Sequence, residues 1–361
     1  MGEKRRTVIP FGPQHPVLPE PIQLKLVLED EKVVEAVPQI GYVHRGLERL
    51  VKVRDFNQMV FVAERICGIC SFQHAMTYSL GIERLMNIEV PERANYLRVI
   101  WSELHRVHSH LLWLGLLADA FGFEALFMET WKIREAVVDM MEATAGSRVI
   151  ISTCQVGGVR RDISPEMLQA IVKLTERIER EVKAIEHSVM NDYTVQKRTV
   201  GIGVINKDQA WKLGMAGPML RGSGVKWDAR MLGYAAYKHL NFEPVVETAG
   251  DCYARTVVRF REIFVALDLI RQAVAKIPAG EINVPVKGNP TGEVMIQVEQ
   301  PRGEVTYTLK ANGTKYLERM HVRTPTFANI PAFLTMLPGC ELADVPVLAL
   351  TIDPCISCTE R

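Results

Sequence analysis

Polar and apolar residues alternate in two short segments near the start of the chain, and this pattern predicts two β-strands. The segments are Gln23–Leu28 and Lys32–Val37, and the acidic residues Glu29–Glu31 between them suit the turn of an antiparallel hairpin. A proline-rich loop, Pro10–Pro21, precedes the first strand. We therefore predict that residues 1–42 form an N-terminal β-hairpin and loop.

From about Val43 the apolar residues recur at the three-to-four spacing of amphipathic helices, which predicts a helical bundle over residues 43–280. The most apolar run, Leu111–Met128, contains Asp119 and Glu124. A membrane-spanning helix needs about 20 nearly uncharged residues, so this run predicts a buried core helix instead. The other long helices that we predict are Trp101–Leu117, a helix from Ser164-Pro165 to about Met190, and roughly Val245–Ile277, ended by Pro278.

The last part of the chain, residues 281–361, returns to a strand pattern before a final turn. Glu293–Val298 and Val305–Leu309 flank the turn signal Pro301-Arg302-Gly303, and a helical segment follows near Asn329–Met336. The predicted fold class is therefore mainly α: a helical bundle with small antiparallel β elements. We predict one domain over residues 1–361.

Composition narrows the possible partners and the compartment. The chain is 48% hydrophobic and 24% charged, which suits a globule with a sizeable core. Its net charge of +1 gives no general attraction to nucleic acid or to an anionic membrane surface. Seven cysteines without an apparent secretory leader predict a reducing, cytoplasmic compartment. Any attachment to a membrane is then expected to occur through partner subunits.

Two Cys-x-x-Cys pairs lie near opposite ends of the chain: Cys67 with Cys70, and Cys355 with Cys358. The two sulfurs of such a pair can face one metal ion, so each pair can supply half of a four-thiolate site. Thiolates are soft ligands that suit zinc, iron–sulfur clusters, copper(I) and nickel. The spacing alone leaves a structural zinc site and a [4Fe–4S] cluster open. A redox-active dithiol is disfavoured because no βαβ pattern accompanies either pair.

The residues around the two pairs resemble the metal-binding motifs of nickel–iron hydrogenase large subunits. The amino-terminal match is Arg65–Cys70 followed by His74, and the carboxy-terminal match is Asp353–Cys358. Shorter matches along the rest of the chain are Gln14–Pro16, His44–Glu48, Ser109–Leu112, Pro301–Gly303 and Arg323–Phe327. Several of these also resemble the quinone-site (49 kDa) subunit of respiratory complex I. This mixture is typical of the energy-converting, membrane-associated branch of the family (group 4, the Ech or CO-induced type).

The resemblance implies a nickel ion bound by all four cysteines. Cys67 and Cys355 would be terminal ligands, and Cys70 and Cys358 would bridge to an iron that carries cyanide and carbonyl ligands. The implied reaction is the reversible combination of two protons and two electrons to H2. Splitting H2 requires a Lewis acid, which the metals would provide, and a base. The base would be a terminal thiolate or the guanidine group of Arg302.

Four further residues receive roles from the same resemblance. His74 would form a hydrogen bond to a bridging sulfur, as donors around metal ligands often do. Glu20 would be the proton gate beside the second terminal cysteine. Arg302 and Asp353 would lie near the open position of the metals.

The sequence departs from the family pattern at its last residue. Many hydrogenase large subunits have a histidine three residues after the final cysteine, where it helps to bind a magnesium or iron ion together with a glutamate that matches Glu48. Here that residue is Arg361, and a guanidinium cannot bind a cation because it only donates hydrogen bonds. The resemblance therefore gives no support to the extra ion. We predict that Arg361 pairs with Glu48 or another nearby carboxylate instead.

The remaining cysteines predict that electrons leave through a partner. Cys154, Cys252 and Cys340 are isolated and too few for a four-cysteine cluster. We expect a small subunit with a proximal [4Fe–4S] cluster, ferredoxin-like electron-transfer subunits and integral-membrane subunits. They would place the chain on the inner face of the cell membrane. The alternative is a non-catalytic complex I-like coupling or quinone-site subunit, with a structural zinc on the four cysteines.

Overall fold

The computed structural model describes residues 6–361, so the first five residues of the predicted N-terminal segment lie outside it. The predicted hairpin is present, but it belongs to an antiparallel sheet with the order β1-β2-β3. The strands are β1 (Arg6–Phe11), β2 (Gln23–Glu29) and β3 (Lys32–Gln39). The sequence did not predict β1. It is an edge strand that contains Pro10 and is mostly exposed, so it lacks the regular alternation of a half-buried strand.

The helical part begins with two short helical segments and continues with three long helices. A 3-10 helix spans Leu47–Lys52, and the α-helices that follow are α1 (Met59–Glu64), α2 (Ser71–Met86), α3 (Glu92–Ala120) and α4 (Glu124–Ala145). The prediction of one core helix over Leu111–Met128 is wrong. The chain turns between α3 and α4 at Gly122, whose φ of 78° is accessible mainly to glycine.

Beyond α4 the long helices are joined by a small ribbon and an irregular segment. The elements are β4 (Cys154–Gln155), β5 (Gly158–Val159), α5 (Pro165–Asn191), α6 (Tyr193–Thr199), α7 (Lys207–Lys212), α8 (Pro218–Arg221) and α9 (Cys252–Lys276). The predicted N-cap of α5 is confirmed, because the Ser164 hydroxyl accepts a hydrogen bond from Met167 N at 3.3 Å. The prediction that the next long helix starts near Val245 is wrong. The Asp251 side chain caps α9 by accepting from Ala254 N at 2.8 Å.

A second antiparallel sheet and three helices complete the chain. They are β6 (Thr291–Gln300), β7 (Gly303–Asn312), β8 (Leu317–Arg323), α10 (Pro325–Met336), α11 (Val345–Thr351) and α12 (Ile356–Glu360). The turn between β6 and β7 is tight, since Gln300 pairs with Gly303 and only Pro301 and Arg302 lie between them. The sheet therefore projects Arg302 from a fixed position.

Two clusters of buried apolar residues form the core between these helices and sheets. The larger one packs α2, α3 and α9 against the sheet β6–β8, and it includes the four motif cysteines. The smaller one packs the sheet β1–β3 against α10 and α11. The mainly α architecture with small antiparallel sheets is as the sequence predicts. Within residues 6–361, no helix has the length and apolar character needed to cross a membrane.

Candidate metal centre

Two turns from opposite ends of the chain bring the four motif cysteines together. Cys67 and Cys70 lie between α1 and α2, and Cys355 and Cys358 lie at the start of α12; none is more than 3% exposed. The Sγ atoms of Cys67 and Cys355 are 3.3 Å apart, and those of Cys70 and Cys358 are 3.4 Å apart. A disulfide would need about 2.05 Å, whereas two sulfurs on one tetrahedral metal with bonds of about 2.3 Å are separated by somewhat under 4 Å. The four sulfurs are therefore close enough to bind one metal centre together.

Each turn is shaped by hydrogen bonds to its first cysteine. Cys67 Sγ accepts from Ile69 N at 3.3 Å, and Cys355 Sγ accepts from Cys358 N at 3.4 Å. These bonds orient both sulfurs toward the helix that follows. Cys355 N in turn donates to the Thr326 hydroxyl at 3.2 Å, which fixes the second turn to α10.

The buried thiol groups need a nearby positive charge to ionise together. Burial raises the pKa of Cys70 and of Cys358 well above the ordinary thiol value. Hydrogen bonds from Cys355, Cys358 and Cys70 lower the pKa of Cys67. A buried set of this kind can become fully ionised only when a positive charge compensates it, and metal binding supplies such a charge by displacing the thiol protons. The donor set therefore fits a soft metal cation.

His74 connects the centre to the second sheet. Its Nε2 lies 3.3 Å from Cys358 Sγ, and its Nδ1 lies 2.8 Å from the Tyr307 hydroxyl. Burial lowers the pKa of His74 to about 4, so the imidazole is neutral and carries one N–H. Burial also raises the pKa of Tyr307, which keeps its hydroxyl protonated. When Cys358 is a thiolate, the Tyr307 hydroxyl therefore donates to Nδ1, and Nε2–H donates to the sulfur.

Arg302 and Asp353 form an ion pair at the edge of the centre. Arg302 Nη2 lies 2.7 Å from Asp353 Oδ1, its Nε donates to the Asp353 carbonyl at 2.9 Å, and its Nη1 donates to the Ser109 hydroxyl at 3.3 Å. Although burial opposes the charge, Asp353 together with Cys355 and Cys67 raises the pKa of Arg302. The guanidinium therefore stays protonated in the thiol form of the site.

The backbone around Arg302 has no room for side chains. A Cβ on Gly217 would lie 2.3 Å from the Arg302 carbonyl oxygen, and a Cβ on Gly303 would lie 2.6 Å from Gly217 N. The two glycines therefore permit a direct contact between backbones that holds the turn in place. Asp353 itself has a φ of 51°, which is uncommon for a residue with a side chain.

Glu20, in the N-terminal loop, contacts the turn that carries the second pair of cysteines. One carboxylate oxygen accepts from Ser357 N at 2.8 Å, and the other accepts from the Ser357 hydroxyl. Glu20 also lines a surface cavity of about 350 Å³ together with His15 and the prolines of the N-terminal loop. The carboxyl group therefore lies between this cavity and the cysteine turn.

The last two residues anchor the second turn from outside. Arg361 Nε donates to Glu48 Oε1 at 2.7 Å, as the sequence predicts, and Val322 N donates to the same oxygen at 2.8 Å. The Glu360 carboxylate accepts from Gly41 N and Val43 N, both at 2.6 Å. The Arg361 guanidinium thus occupies one oxygen of the glutamate that would bind an ion in the family pattern.

Sequence reasoning missed Arg45, which joins the two cysteine turns. Its guanidinium donates to the Arg65 and Ile66 carbonyls, at 2.8 and 2.7 Å, directly before Cys67. It also donates to the Ser357 carbonyl at 3.3 Å, inside the second turn. The motif His44–Glu48 was a signal that this segment matters, but nothing in it showed that Arg45 spans both ends of the chain.

The structure brings all eight predicted site residues into one place: Cys67, Cys70, Cys355, Cys358, His74, Glu20, Arg302 and Asp353. The sulfurs of Cys67, Cys355 and Cys358 form one group of potential metal ligands, and those of Cys70 and Cys358 with His74 form another. Cys154, Cys252 and Cys340 are free thiols outside these groups.

The models of two known protein families match most of the chain. Residues 45–119 match the family model described as nickel-dependent hydrogenase, and these residues contain Cys67, Cys70 and His74. Residues 120–289 and 285–361 match the model of the 49 kDa subunit of respiratory-chain NADH dehydrogenase. The chain belongs to the family that unites hydrogenase large subunits with the complex I 49 kDa subunit. The family resemblance that the sequence motifs indicated is confirmed.

Individual relatives are similar over the whole chain. The carbon monoxide-induced hydrogenase of Rhodospirillum rubrum is 38% identical over 98% of this chain and 99% of that protein. The membrane-bound hydrogenase subunit alpha of Pyrococcus furiosus is also 38% identical, over 98% of this chain and 87% of that protein. A chain in the structure of the membrane-bound sulfane sulfur reductase, an archaeal respiratory membrane complex, is 30% identical and covers 99% of both chains with a TM-score of 0.95. The Pyrococcus furiosus subunit and the reductase chain are thus named as parts of membrane-bound complexes.

We expect Cys358→Ser to abolish metal binding. The substitution removes a sulfur that lies beside both Cys70 and His74, and a hydroxyl is a poor ligand for a soft metal. The measurement is metal per chain, by elemental analysis of the complex purified without oxygen. Cys340→Ser, at a half-buried cysteine outside the centre, is the matched control and should keep the metal of the parent. Full metal occupancy in Cys358→Ser would show that the four cysteines do not form one site.

Arg45→Lys should weaken metal retention while the fold persists. Lysine keeps the charge but loses the forked donors that reach both turns, and loss of partners around metal ligands typically costs about 10–100-fold in affinity. Metal retained against a chelator is the measurement, with the thermal unfolding midpoint recorded alongside. Arg49→Lys, at a nearby exposed arginine, is the control. Equal retention in the two variants would mean that Arg45 does not position the ligands.

Proposed function

We propose that the chain is the catalytic subunit of a ferredoxin-linked nickel–iron hydrogenase. It would interconvert two protons and two electrons with H2 and be coupled through partner subunits to ion translocation. The observation that carries the proposal is the meeting of four buried thiols with an adjacent Arg302–Asp353 pair and with Glu20.

The proposed cofactor is a nickel–iron centre with cyanide and carbonyl ligands on iron. Cys67 and Cys355 would be terminal on nickel, and Cys70 and Cys358 would bridge the metals. The contact of Cys70 with Cys358 supports this division, because His74 donates to Cys358. When bound, the metals would supply the Lewis acid that H2 activation needs. The match to nickel-dependent hydrogenases supports nickel over other soft metals.

The protein side chains then have separate tasks around that centre. The His74 N–H stabilises negative charge on Cys358, and Tyr307 holds the ring in the required tautomer. Arg302, which is paired with Asp353 and protonated, acts as a fixed positive charge more readily than as a base. Among the two bases that the sequence suggests, this favours a cysteine thiolate.

Glu20 is the proposed first proton carrier. It bonds the backbone and hydroxyl of Ser357, so a proton on the Cys355–Cys358 turn is one step from its carboxylate. The cavity that it lines with His15 opens to solvent and would exchange the proton with water. A carboxyl group at such a position can alternate between acid and base.

Electron transfer is proposed to require a partner. Within residues 6–361 the structure leaves only three free cysteines outside the centre, too few for a four-cysteine cluster. A small subunit with a proximal [4Fe–4S] cluster, ferredoxin-like subunits and integral-membrane subunits would supply the rest. The relatives from membrane-bound complexes support a location at the inner face of the cell membrane.

The second candidate is a coupling or quinone-site subunit without hydrogenase activity. The match to the complex I 49 kDa subunit and the likeness to a chain of the sulfane sulfur reductase complex support it. In that case the four cysteines would hold a structural zinc ion. The metal distinguishes the two candidates, because the arrangement of sulfurs suits both.

We expect the purified complex to contain about one nickel per chain and to evolve H2 from reduced ferredoxin. The reason is that the buried thiols have a proton-carrying glutamate and a fixed cation beside them, which a structural zinc site does not require. Elemental analysis combined with H2 detection is the measurement. Stoichiometric zinc without nickel, and no H2, would favour the second candidate.

Glu20→Gln should leave the metal content intact and slow turnover. The amide keeps the shape of the carboxyl group but cannot carry a proton, and such groups contribute on the order of 10²–10⁴-fold. The measurements are H2 evolution and isotope exchange between D2 and water, with nickel per chain as the check on the centre. Glu35→Gln, at an exposed position of β3, is the control. Unchanged exchange in Glu20→Gln would move the proton route elsewhere.

A further inference from the structure

A second set of charged side chains lies buried next to the turn that carries Arg302. It contains three arginines and four carboxylates, each at most 1% exposed: Arg106, Arg221, Arg230, Glu103, Asp228, Glu262 and Glu299. We call these seven residues the buried charge cluster. Within the cluster the carboxylates outnumber the guanidinium groups by one, so one of them lacks a guanidinium partner of its own. A proton on that carboxyl group would offset a buried charge that is otherwise costly.

Two of the carboxylates are well compensated by guanidinium groups. Glu262 accepts from Arg221 Nε at 2.8 Å and lies 3.0 Å from His110 Nε2. Asp228 accepts from Arg230 Nε at 3.0 Å and Nη2 at 2.7 Å. Arg221 lowers the pKa of Glu262 and Arg230 lowers that of Asp228, in both cases against the effect of burial. Both groups are therefore ionised at neutral pH.

Glu103 is compensated as strongly. It accepts from Arg106 Nε at 3.0 Å, from Arg230 Nη1 at 3.1 Å and from the Tyr237 hydroxyl. The two guanidinium groups lower its pKa despite burial. Arg259, also buried, donates to the Thr351 carbonyl at 2.8 Å and forms no ion pair with these carboxylates among the described residues. Glu262 and Asp353 are nevertheless near enough to support its positive charge.

Glu299 is the carboxylate with the weakest compensation. It accepts from Arg221 Nη1 at 2.8 Å, but the same nitrogen also donates to the Trp227 carbonyl at 2.9 Å and lies 3.5 Å from Asp228. Its other partner is the neutral backbone N–H of Ala229, at 2.9 Å.

The guanidinium of Arg106 does not reach the Glu299 side chain. It donates to the backbone carbonyl of Glu299 at 2.8 Å. Burial and the neighbouring Asp228 raise the pKa of Glu299 to about 7, against the opposing charges of Arg221 and Arg106. The proton that balances the buried charge cluster therefore resides on Glu299.

A short polar connection leads from Glu299 to the metal centre. The next residue, Gln300, is fully buried, and neither its amide nitrogen nor its amide oxygen has a hydrogen-bond partner among the described residues. Buried polar atoms of this kind are usually satisfied by ordered water. Arg302 follows two residues later and contacts Ser109, whose neighbour His110 contacts Glu262. The cluster and the centre thus share one turn and one stretch of α3.

Glu299 is also close to the surface on its other side. Its backbone N–H donates to the Tyr234 hydroxyl at 3.1 Å. Tyr234 lines an open cavity of about 790 Å³ together with Lys238 and Gln297. Tyr234 therefore connects the backbone of Glu299 with the wall of this cavity.

We propose that Glu299 takes up a proton from the side of this cavity and delivers it to the metal centre, as a second route besides Glu20. The proposal rests on the proposed hydrogenase function. Each H2 consumes two protons and two electrons; Glu299 loses its O–H proton to the centre and regains one from water, while the electrons arrive from the partner subunits. Only the O–H bond of the carboxyl group is broken and remade.

The direct test is the infrared carbonyl stretch of a protonated carboxylic acid in the intact complex, followed from below to above pH 7. Because burial also raises the pKa of Glu64 to about 7, all spectra are recorded in a Glu64→Gln background. We expect a band that shifts in D2O, disappears as the pH rises through about 7, and is missing when Glu299→Gln is added. Glu293→Gln, at an exposed position of the same strand, should retain it. A band that persists in Glu299→Gln would overturn the assignment. This readout needs no H2 activity, so it tests the proton on Glu299 by itself. A complex with the band but without hydrogenase activity would reject the proposed function and the delivery to the centre, and would leave only the proton on Glu299.

The pH dependence of H2 evolution is a second test of the proposal. Below pH 7 Glu299 holds its proton, so H2 evolution in the parent should fall as the pH rises through 7. In Glu299→Gln we expect normal nickel content, a loss on the order of 10²-fold, and no such fall in rate around pH 7. If Glu299→Gln keeps the rate and the pH profile of the parent, the cluster has only a structural role and the proposal is overturned.

A second variant keeps Glu299 in place. Glu103→Gln leaves three carboxylates for three guanidinium groups, so Glu299 should be ionised and the acid band lost. If Glu299→Gln does not assemble, this variant decides the question, and a band that remains in Glu103→Gln would contradict the proposal.

Discussion

The candidate site depends on the meeting of four buried thiol groups from opposite ends of the chain. Cys67 and Cys70 can face Cys355 and Cys358 only if the segment before α2 and the segment at α12 are held against each other. Arg45 joins the two turns through their carbonyl groups, and the Glu360 and Arg361 side chains fix the second turn from outside. The sheet β6–β8 and helix α3 then bring Arg302 and Ser109 to the same place.

Periodicity predicted the mainly α class, the first hairpin and the β6–β7 turn, because these are local patterns. It failed where the decisive interaction is distant. Strand β1 is formed by pairing with β2 although its own sequence is exposed and contains Pro10, and α9 starts where Asp251 supplies a cap rather than where the apolar pattern starts. The meeting of the four cysteines with His74, Arg302 and Asp353 was predictable because these residues lie in short motifs. Arg45 and Glu299 were not, since their importance arises from contacts between segments far apart in sequence.

Charge balance links the two proposals. The centre collects thiols whose ionisation needs a cation, and Arg302 already contributes one fixed positive charge. The buried charge cluster has the opposite imbalance, with one carboxylate more than its guanidinium groups. Protons can therefore be held on both sides of the centre, at Glu20 over the cysteine turn and at Glu299 behind the Arg302 turn. In a family that contains both hydrogenases and complex I subunits, such carriers would connect the chemistry to the surrounding subunits.

The central claim is that the four cysteines hold a nickel–iron centre. The most direct test is the infrared spectrum of the intact complex, isolated without oxygen, in the region of metal-bound carbonyl and cyanide stretches. The account predicts one carbonyl and cyanide set that responds to H2 and is missing when Cys358 is replaced by serine. A spectrum without these bands, from a complex whose four cysteines are occupied by zinc, would contradict it.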